Sequence, residues 1–340
     1  MMIQGSAFAL AVLPIAAALT ALFILSLRPL LQRYAMARPN ARSSHREPTP
    51  QGAGIAVIGA TIAAVAGAAL LAPELLQDPP QLSLIFACTI GLAAVGVTDD
   101  IRPLEASPRL LLQTVAVAVM IAALPADLRI VSQLPWWFER ILMLLGGLWF
   151  VNLVNFMDGI DWMTVAEVIP VTAALALFGF MGALPESATL VAIALCGAII
   201  GFAPFNRPVA RLFLGDVGSL PIGLLLSWLL ILLAGNGHLT SAILLPLYYL
   251  ADATITLMRR MVMGERITQA HRSHFYQKAL DNGFSVHQIV GRVFAINVAL
   301  GCLAAITLVN QSRAILVVMA LIGSLLVGTL LSNFARQVKH

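Results

Sequence analysis

Long apolar runs separated by short polar breaks organise the whole chain. Eleven runs are placed at about 7–27, 52–73, 82–98, 109–124, 141–156, 163–183, 188–205, 219–234, 240–258, 289–309 and 314–334. An α-helix needs about 20 apolar residues to cross a bilayer. A membrane β-barrel would instead show alternating segments of about ten residues. The pattern predicts an all-α, polytopic membrane protein of about eleven transmembrane helices, read as one domain over residues 1–340.

Composition sharpens that class. The chain is 60% hydrophobic and 11% charged, with a mean hydropathy of +0.92. Cys88, Cys196 and Cys302 all fall inside apolar runs. They have no metal-ligand spacing and form no disulfide framework. The first run lacks a basic leader and a cleavage site, so it reads as a retained helix. With eleven spans, Lys and Arg divide 17 to 3 between the two faces. The basic side is cytoplasmic, which puts the N-terminus outside and the C-terminus inside. The net charge of +4 is this orientation signal, so no nucleic-acid partner is needed; the bilayer itself is the expected partner.

The cytoplasmic breaks hold the candidate chemistry. Asp99 and Asp100 close the third run. Adjacent carboxylates repel unless a cation neutralises them, and a few hard oxygens suit Mg2+, which keeps waters and shares substrate phosphates. The alternative is a solvated helix end. Segment 152–158 reads NLVNFMD and is followed by Gly159, Ile160 and Asp161. Asn152, Asn155 and Asp158 recur every three residues, so they share a helix face. Their amides and carboxylate suit a cation, a phosphate or a sugar; the alternative is polar contact between helices.

Segment 206–219 reads NRPVARLFLGDVGS. Asp216 stands between Gly215 and Gly218 at the head of another run, where a helix N-terminus favours an anion. Phe213 can stack on a base, and Arg207 and Arg211 can meet phosphates. A plain basic turn would explain the arginines but not Asp216. Segment 264–276 reads GERITQAHRSHFY. His271 and His274 would need two further ligands to hold zinc, whereas phosphate contact beside Arg266 and Arg272 needs none; a solvated loop is the alternative. His45 and Arg46, in segment 38–54, either guide an anion or belong to the orientation signal. Asp252 lies inside the ninth run, where it can pair with Arg259 or Arg260 or line a cavity. Glu167 and His287 read as structural.

The Asp-Asp pair, NxxNxxDG at 152–159, FxGDxGS at 213–219 and a late histidine loop follow in order on one face. This combination resembles the polyprenyl-phosphate N-acetylhexosamine-1-phosphate transferases over nearly the whole chain. The resemblance implies a Mg2+-dependent enzyme, with Mn2+ as a substitute, in the bacterial inner membrane with its active site facing the cytoplasm. Undecaprenyl phosphate attacks a UDP-HexNAc, giving undecaprenyl-pyrophosphoryl-sugar and UMP. By the match, Asp216 is a metal ligand, and Asp99 and Asp100 lie near the metal and the lipid phosphate, with Asp99 sometimes cast as a base. Asn155 and Asp158, with Asn152 on their face, line the nucleotide and cation site. Phe213 and Gly215 border the uracil pocket. His271 and His274 contact phosphate, with Arg272, His45 and Arg46 as substrate contacts. Homodimers occur in the family.

The departures from the family pattern are informative. The histidine motif reads His-Arg-Ser-His, and Trp162 stands where the family often has the last glycine of DGxDG. The phospho-MurNAc-pentapeptide branch carries a lysine-bearing loop and a tight histidine triplet; this chain has Arg46 and no triplet. These differences favour initiation of O-antigen, exopolysaccharide or another surface glycan, with GlcNAc, GalNAc or a deoxy-amino sugar such as FucNAc or QuiNAc. A secondary transporter would carry its acids near the bilayer midplane, in paired repeats; here they sit at span ends on one face.

Overall fold

A computed structural model of the protein describes residues 2–37, 48–73, 76, 78–265 and 271–337. The described chain is helical apart from loops and one two-residue ladder. Backbone groups in hydrocarbon must find partners within their own segment, which forces helices. They are α1 (Met2–Tyr34), α2 (Gly54–Leu71), α3 (Pro79–Ile101), α4 (Ala106–Ala122), α5 (Trp136–Met157), α6 (Met163–Phe180), α7 (Glu186–Phe202), α8 (Asp216–Leu233), α9 (Leu239–Leu244), α10 (Leu247–Val262), α11 (Phe275–Asp281), α12 (Val286–Val309) and α13 (Arg313–Phe334). Eight helical segments among the described residues are long and apolar enough to cross a membrane, and α4 and α7 are shorter apolar helices. The chain is an all-α polytopic membrane protein.

Local chemistry sets several helix starts. Asp78 accepts the Gln81 amide at 3.0 Å, with prolines in the first turn of α3, where a missing N–H costs nothing. Ser285 caps α12 through the Gln288 amide, and the Gln288 side chain answers to the Ser285 amide, a reciprocal cap.

The helix α8 is the centre. It is apolar on all sides, the mark of a helix buried on all sides. Nearly all of its residues are buried, whereas α1 and α13 are largely exposed. Glycines set the close approaches around it. A Cβ on Gly54 of α2 would lie 2.2 Å from Gly218, and one on Gly96 of α3 would lie 2.4 Å from the Asp216 backbone. Only glycine permits such contact, so the start of α8 is gripped by two neighbouring helices.

Three polar or apolar segments differ from the sequence reading. The helix α1 continues through Arg28 and Arg33 to Tyr34, because Arg is a good helix former. Met36 and Ala37 then pair antiparallel with Pro50 and Thr49. The apolar run expected at 240–258 is two helices, broken at Leu245 and Pro246, since proline cannot donate to the turn before it. The polar segment expected at 259–288 contains the last residues of α10 and all of the seven-residue α11.

Candidate active site

The head of α8 organises the site. Gly215 precedes the helix and offers no side-chain cap. The cap comes from α3: Asp100 Oδ1 accepts the Asp216 amide at 3.0 Å and Oδ2 accepts the Val217 amide at 3.2 Å. Two amides that a helix start leaves orphaned are thereby satisfied, and the carboxylate sits at the positive end of the helix dipole. Gly215 has φ +77°, and a Cβ there would lie 2.5 Å from Asp100 Oδ2. The Gln51 side chain donates to the Asp100 carbonyl at 2.9 Å. The Phe213 carbonyl accepts from the amides of Gly52 and Ala53, and the Phe213 amide donates to Pro50. These bonds fasten the entry to α2 against the entry to α8.

Asp99 faces α4. Its Oδ1 accepts the Leu104 amide at 2.6 Å, and its Oδ2 accepts Arg109 Nη1 at 2.7 Å. The same Arg109 nitrogen lies 3.7 Å from Asp216 Oδ2. Asn155 Nδ2 donates to Asp216 Oδ1 at 2.8 Å and to Ser219 Oγ at 2.9 Å. Asp216 is thus held by α5 on one oxygen and faces the arginine with the other.

A cavity of about 190 Å3 opens between these elements, lined by Gln51, Asp100, Asn155, Asp158, Gly159, Ile160, Asp161, Asn206, Phe213, Leu214, Gly215 and Asp216. Asp158 follows the last residue of α5 and accepts Thr164 Oγ1 at 2.5 Å. Burial pushes its carboxyl up to about 6; the Thr164 bond opposes the shift, and the charges of Asp100 and Asp161 add to it. Asp161 accepts the Ala210 amide at 3.0 Å, and Asn206 accepts the Trp162 amide at 2.7 Å. Trp162 has φ +61°, which a Cβ disfavours. Its indole donates to the Ala203 carbonyl at 2.6 Å, so side-chain bonding offsets the backbone strain.

The histidine loop abuts the end of α5. Tyr276 OH donates to the Phe156 carbonyl at 3.0 Å, and a Cβ on Gly159 would lie 2.0 Å from that hydroxyl. The His271 and His274 rings are 4.9 Å apart, and Phe156 lies 6.4 Å from His274. His274 is only 2% exposed, whereas His271 is half-buried, with Nδ1 2.8 Å from Ser273 Oγ.

Asp100, Asn155, Asp158, Phe213, Gly215 and Asp216 line one cavity, and Asp99 adjoins it through Arg109. Asn152 shares the helix face of Asn155 but lies one turn deeper, donating to Gln113 of α4 at 2.8 Å. Arg272 pairs with Asp281 of α11 at 3.2 Å. His45, Arg46 and Arg266 lie outside the described residues. Arg207 and Arg211 are exposed. Asp252 bonds to the head of α11 instead of to Arg259 or Arg260. Glu167 is buried and accepts Asn297 Nδ2 at 2.6 Å.

Sequence reasoning missed Gln51, Arg109, Thr164, Ser219 and Tyr276 as site residues. Two signals were available: Gln51 stands beside the glycines of segment 38–54, and Ser219 closes the FxGDxGS segment.

Among the described residues, no three His, Cys, Asp or Glu side chains form a ready metal cage. The carboxylates of Asp99, Asp100 and Asp216 lie together and are hard oxygen donors. Mg2+ takes one or two protein carboxylates and fills its octahedron with waters and substrate phosphates, and these residues fit that habit.

Residues 82–234 match the profile of Glycosyl transferase family 4, a stretch running from α3 through α8 and stopping short of the histidine loop. The chain is 27% identical over 299 residues to a probable undecaprenyl-phosphate N-acetylglucosaminyl 1-phosphate transferase of Bacillus subtilis (strain 168), covering 81% of each chain. It is 26% identical over 297 residues to a decaprenyl-phosphate N-acetylglucosaminephosphotransferase of Mycobacterium leprae, covering 75% of this chain and 72% of the relative. A phospho-N-acetylmuramoyl-pentapeptide-transferase of Wolbachia sp. subsp. Drosophila simulans is 30% identical over 165 residues, covering 43% of this chain and 51% of the relative.

Proposed function

The chain belongs to the polyprenyl-phosphate N-acetylhexosamine-1-phosphate transferase superfamily, and from that premise we propose that it transfers a HexNAc-1-phosphate from a UDP-amino sugar to undecaprenyl phosphate. The products are undecaprenyl-pyrophosphoryl-sugar and UMP. One observation carries the reading: Asp100 at the end of α3, Asp158 after α5 and Asp216 at the head of α8 converge with Asn155 on a single cavity, and Asp99 adjoins it through Arg109.

The reaction joins two anions. A lipid phosphate oxygen attacks the β-phosphorus, the bond to the bridging oxygen breaks, and UMP leaves with that electron pair. Mutual repulsion is the main obstacle, so positioning and charge stabilisation dominate. Mg2+ bound by Asp216 with Asp99 or Asp100 would supply charge neutralisation. Arg109 adds a fixed positive charge beside those carboxylates. Phe213 offers a ring for the uracil, and His271 is the more accessible imidazole for a phosphate. A phosphate dianion is already a nucleophile, so Asp99 need not act as a base. Its bonds to Arg109 and the Leu104 amide suit a holding role.

The finer topology belongs to the same proposal. On this reading α4, α7 and α10 are passes beside the eight long apolar segments, one of which already includes α9, which gives eleven. The 17-to-3 split of basic residues supports an outer N-terminus, an inner C-terminus and a cytoplasmic site in the bacterial inner membrane. The two N-acetylglucosamine relatives match over most of their length and the pentapeptide transferase over half, which favours initiation of a surface glycan over peptidoglycan synthesis.

The test is UMP release by purified protein with undecaprenyl phosphate and a panel of UDP-sugars. At least one UDP-HexNAc should yield UMP, with EDTA abolishing release and Mg2+ or Mn2+ restoring it. No UMP with any sugar, or release indifferent to EDTA, would defeat the reading. Asp216→Asn should remain folded and lose turnover; normal turnover would remove Asp216 from the metal site.

A further inference from the structure

Asp252 is fully buried in α10, and a buried carboxylate is costly unless its oxygens find partners. It finds them across a chain gap of more than twenty residues. Oδ1 accepts the Phe275 amide at 2.9 Å and lies 3.3 Å from His274 Nδ1. Oδ2 accepts the Tyr276 amide at 3.1 Å and the Tyr248 hydroxyl at 3.3 Å. Thr256 Oγ1 completes the set at 3.4 Å. The carboxylate therefore fixes both the first amides of α11 and one nitrogen of His274.

His274 is poorly placed to touch a ligand itself. It is 2% exposed, and its ring stands between His271 at 4.9 Å and Tyr276 at 5.8 Å. Tyr276 in turn is bonded to the end of α5, two residues before Asp158. The contacts run from Asp252 to His274 and from His274 to His271.

We propose that Asp252 is the positioning residue of the histidine loop: through His274 and the head of α11 it sets the place and tilt of the His271 ring beside the end of α5. This rests on the phosphate-contact role given to His271 above. A hydrogen-bonded carboxylate fixes which imidazole nitrogen faces inward. Oriented groups lose about 10²-fold in rate when displaced by about 1 Å.

The experiment uses the full chain in detergent, whichever UDP-sugar yields UMP in the panel, and Mn2+ binding followed by electron paramagnetic resonance. Asp252→Asn should lower kcat by about 10²-fold with KM and Mn2+ affinity unchanged. His274→Gln should do the same, and the double variant should be no worse than either, because the two act as one unit. Asp252→Glu, which keeps the charge, should recover part of the loss; if Asp252→Asn does not fold, the Glu variant carries the test, with reduced kcat at normal Mn2+ affinity expected. Near-parent kcat in the tested Asp252 variant beside an impaired His274→Gln would overturn the proposal, as would additive losses in the double variant. Normal kcat in both His271→Gln and His274→Gln would instead sink the histidine role on which it depends.

Discussion

Gly96→Ala isolates the packing that aims Asp216. The added Cβ would lie 2.4 Å from the Asp216 carbonyl and the Val217 nitrogen, where ordinary contact begins at 3.4 Å. The obstructing atoms are backbone, so α3 and the head of α8 must part by about 1 Å. Overpacking of this kind costs about 1–3 kcal/mol, while Ala in place of Gly returns up to about 1 kcal/mol of helix propensity. The net destabilisation is therefore about 0–2 kcal/mol. The site suffers more. Parting by that distance stretches the Asp100 bonds, now 3.0 and 3.2 Å, beyond hydrogen-bonding range. A misplacement of about 1 Å lowers rate by about 10²-fold, equivalent to about 2.7 kcal/mol of transition-state stabilisation. Activity should fall further than stability. UMP release and the melting temperature, read in one detergent, measure both. Gly91→Ala is the control: it lies on the same helix, and nothing stands within 4 Å of its Cβ, so it should leave turnover unchanged. If Gly96→Ala turned over as fast as Gly91→Ala, the packing account of the site would be wrong.

Two further predictions concern charge. Arg109 lies 2.7 Å from Asp99 and 3.7 Å from Asp216, so Arg109→Leu should reduce kcat by about 10²-fold while tightening Mn2+ binding, because the carboxylates lose a competing cation; unchanged kcat and unchanged metal affinity would count against the assignment. Asp158 ionises near 3.8 ordinarily and at about 6 when folded. Between those values the unfolded carboxyl has lost its proton and the folded one keeps it. The stability this group contributes is thus full below about pH 4 and is lost as the pH rises to about 6. The parent should lose melting temperature over that interval relative to Asp158→Asn, and parallel curves for the two proteins would refute the shift.

The carboxylate site was legible because a polar residue closing an apolar run has few structural reasons to be there. That logic found Asp99, Asp100, Asp158 and Asp216 without any knowledge of distance. It found Asn155 through helical period, and the same period brought in Asn152. Period gives a face but not a depth, and one turn separates a cavity residue from one bonded to Gln113. Arg109 was hidden because arginines on the basic face serve orientation and chemistry alike. The helix α11 was hidden because seven residues carry too little periodicity to register, and its head is capped by Asp252 from an earlier helix. The break between α9 and α10 was visible only as Pro246, and a proline alone does not mark a break, since Pro170 and Pro221 stand inside α6 and α8.

The two distant caps share one physical logic. A helix start next to a ligand site needs its free amides satisfied, and a Ser, Thr, Asn or Asp immediately before the helix would normally do so. Before α8 that position is Gly215, and a side chain there would collide with Asp100. Supplying the carboxylate from α3 keeps the approach open. The same arrangement recurs where Asp252 of α10 satisfies the first two amides of α11. Each cap couples the end of one element to the beginning of another, so the site's geometry is set by helix packing, which resists displacement in a close-packed interior, and not by the conformations of the intervening loops. It follows that substitutions which shift α3 against α8 should impair chemistry more than substitutions of equal size within the loops that join them.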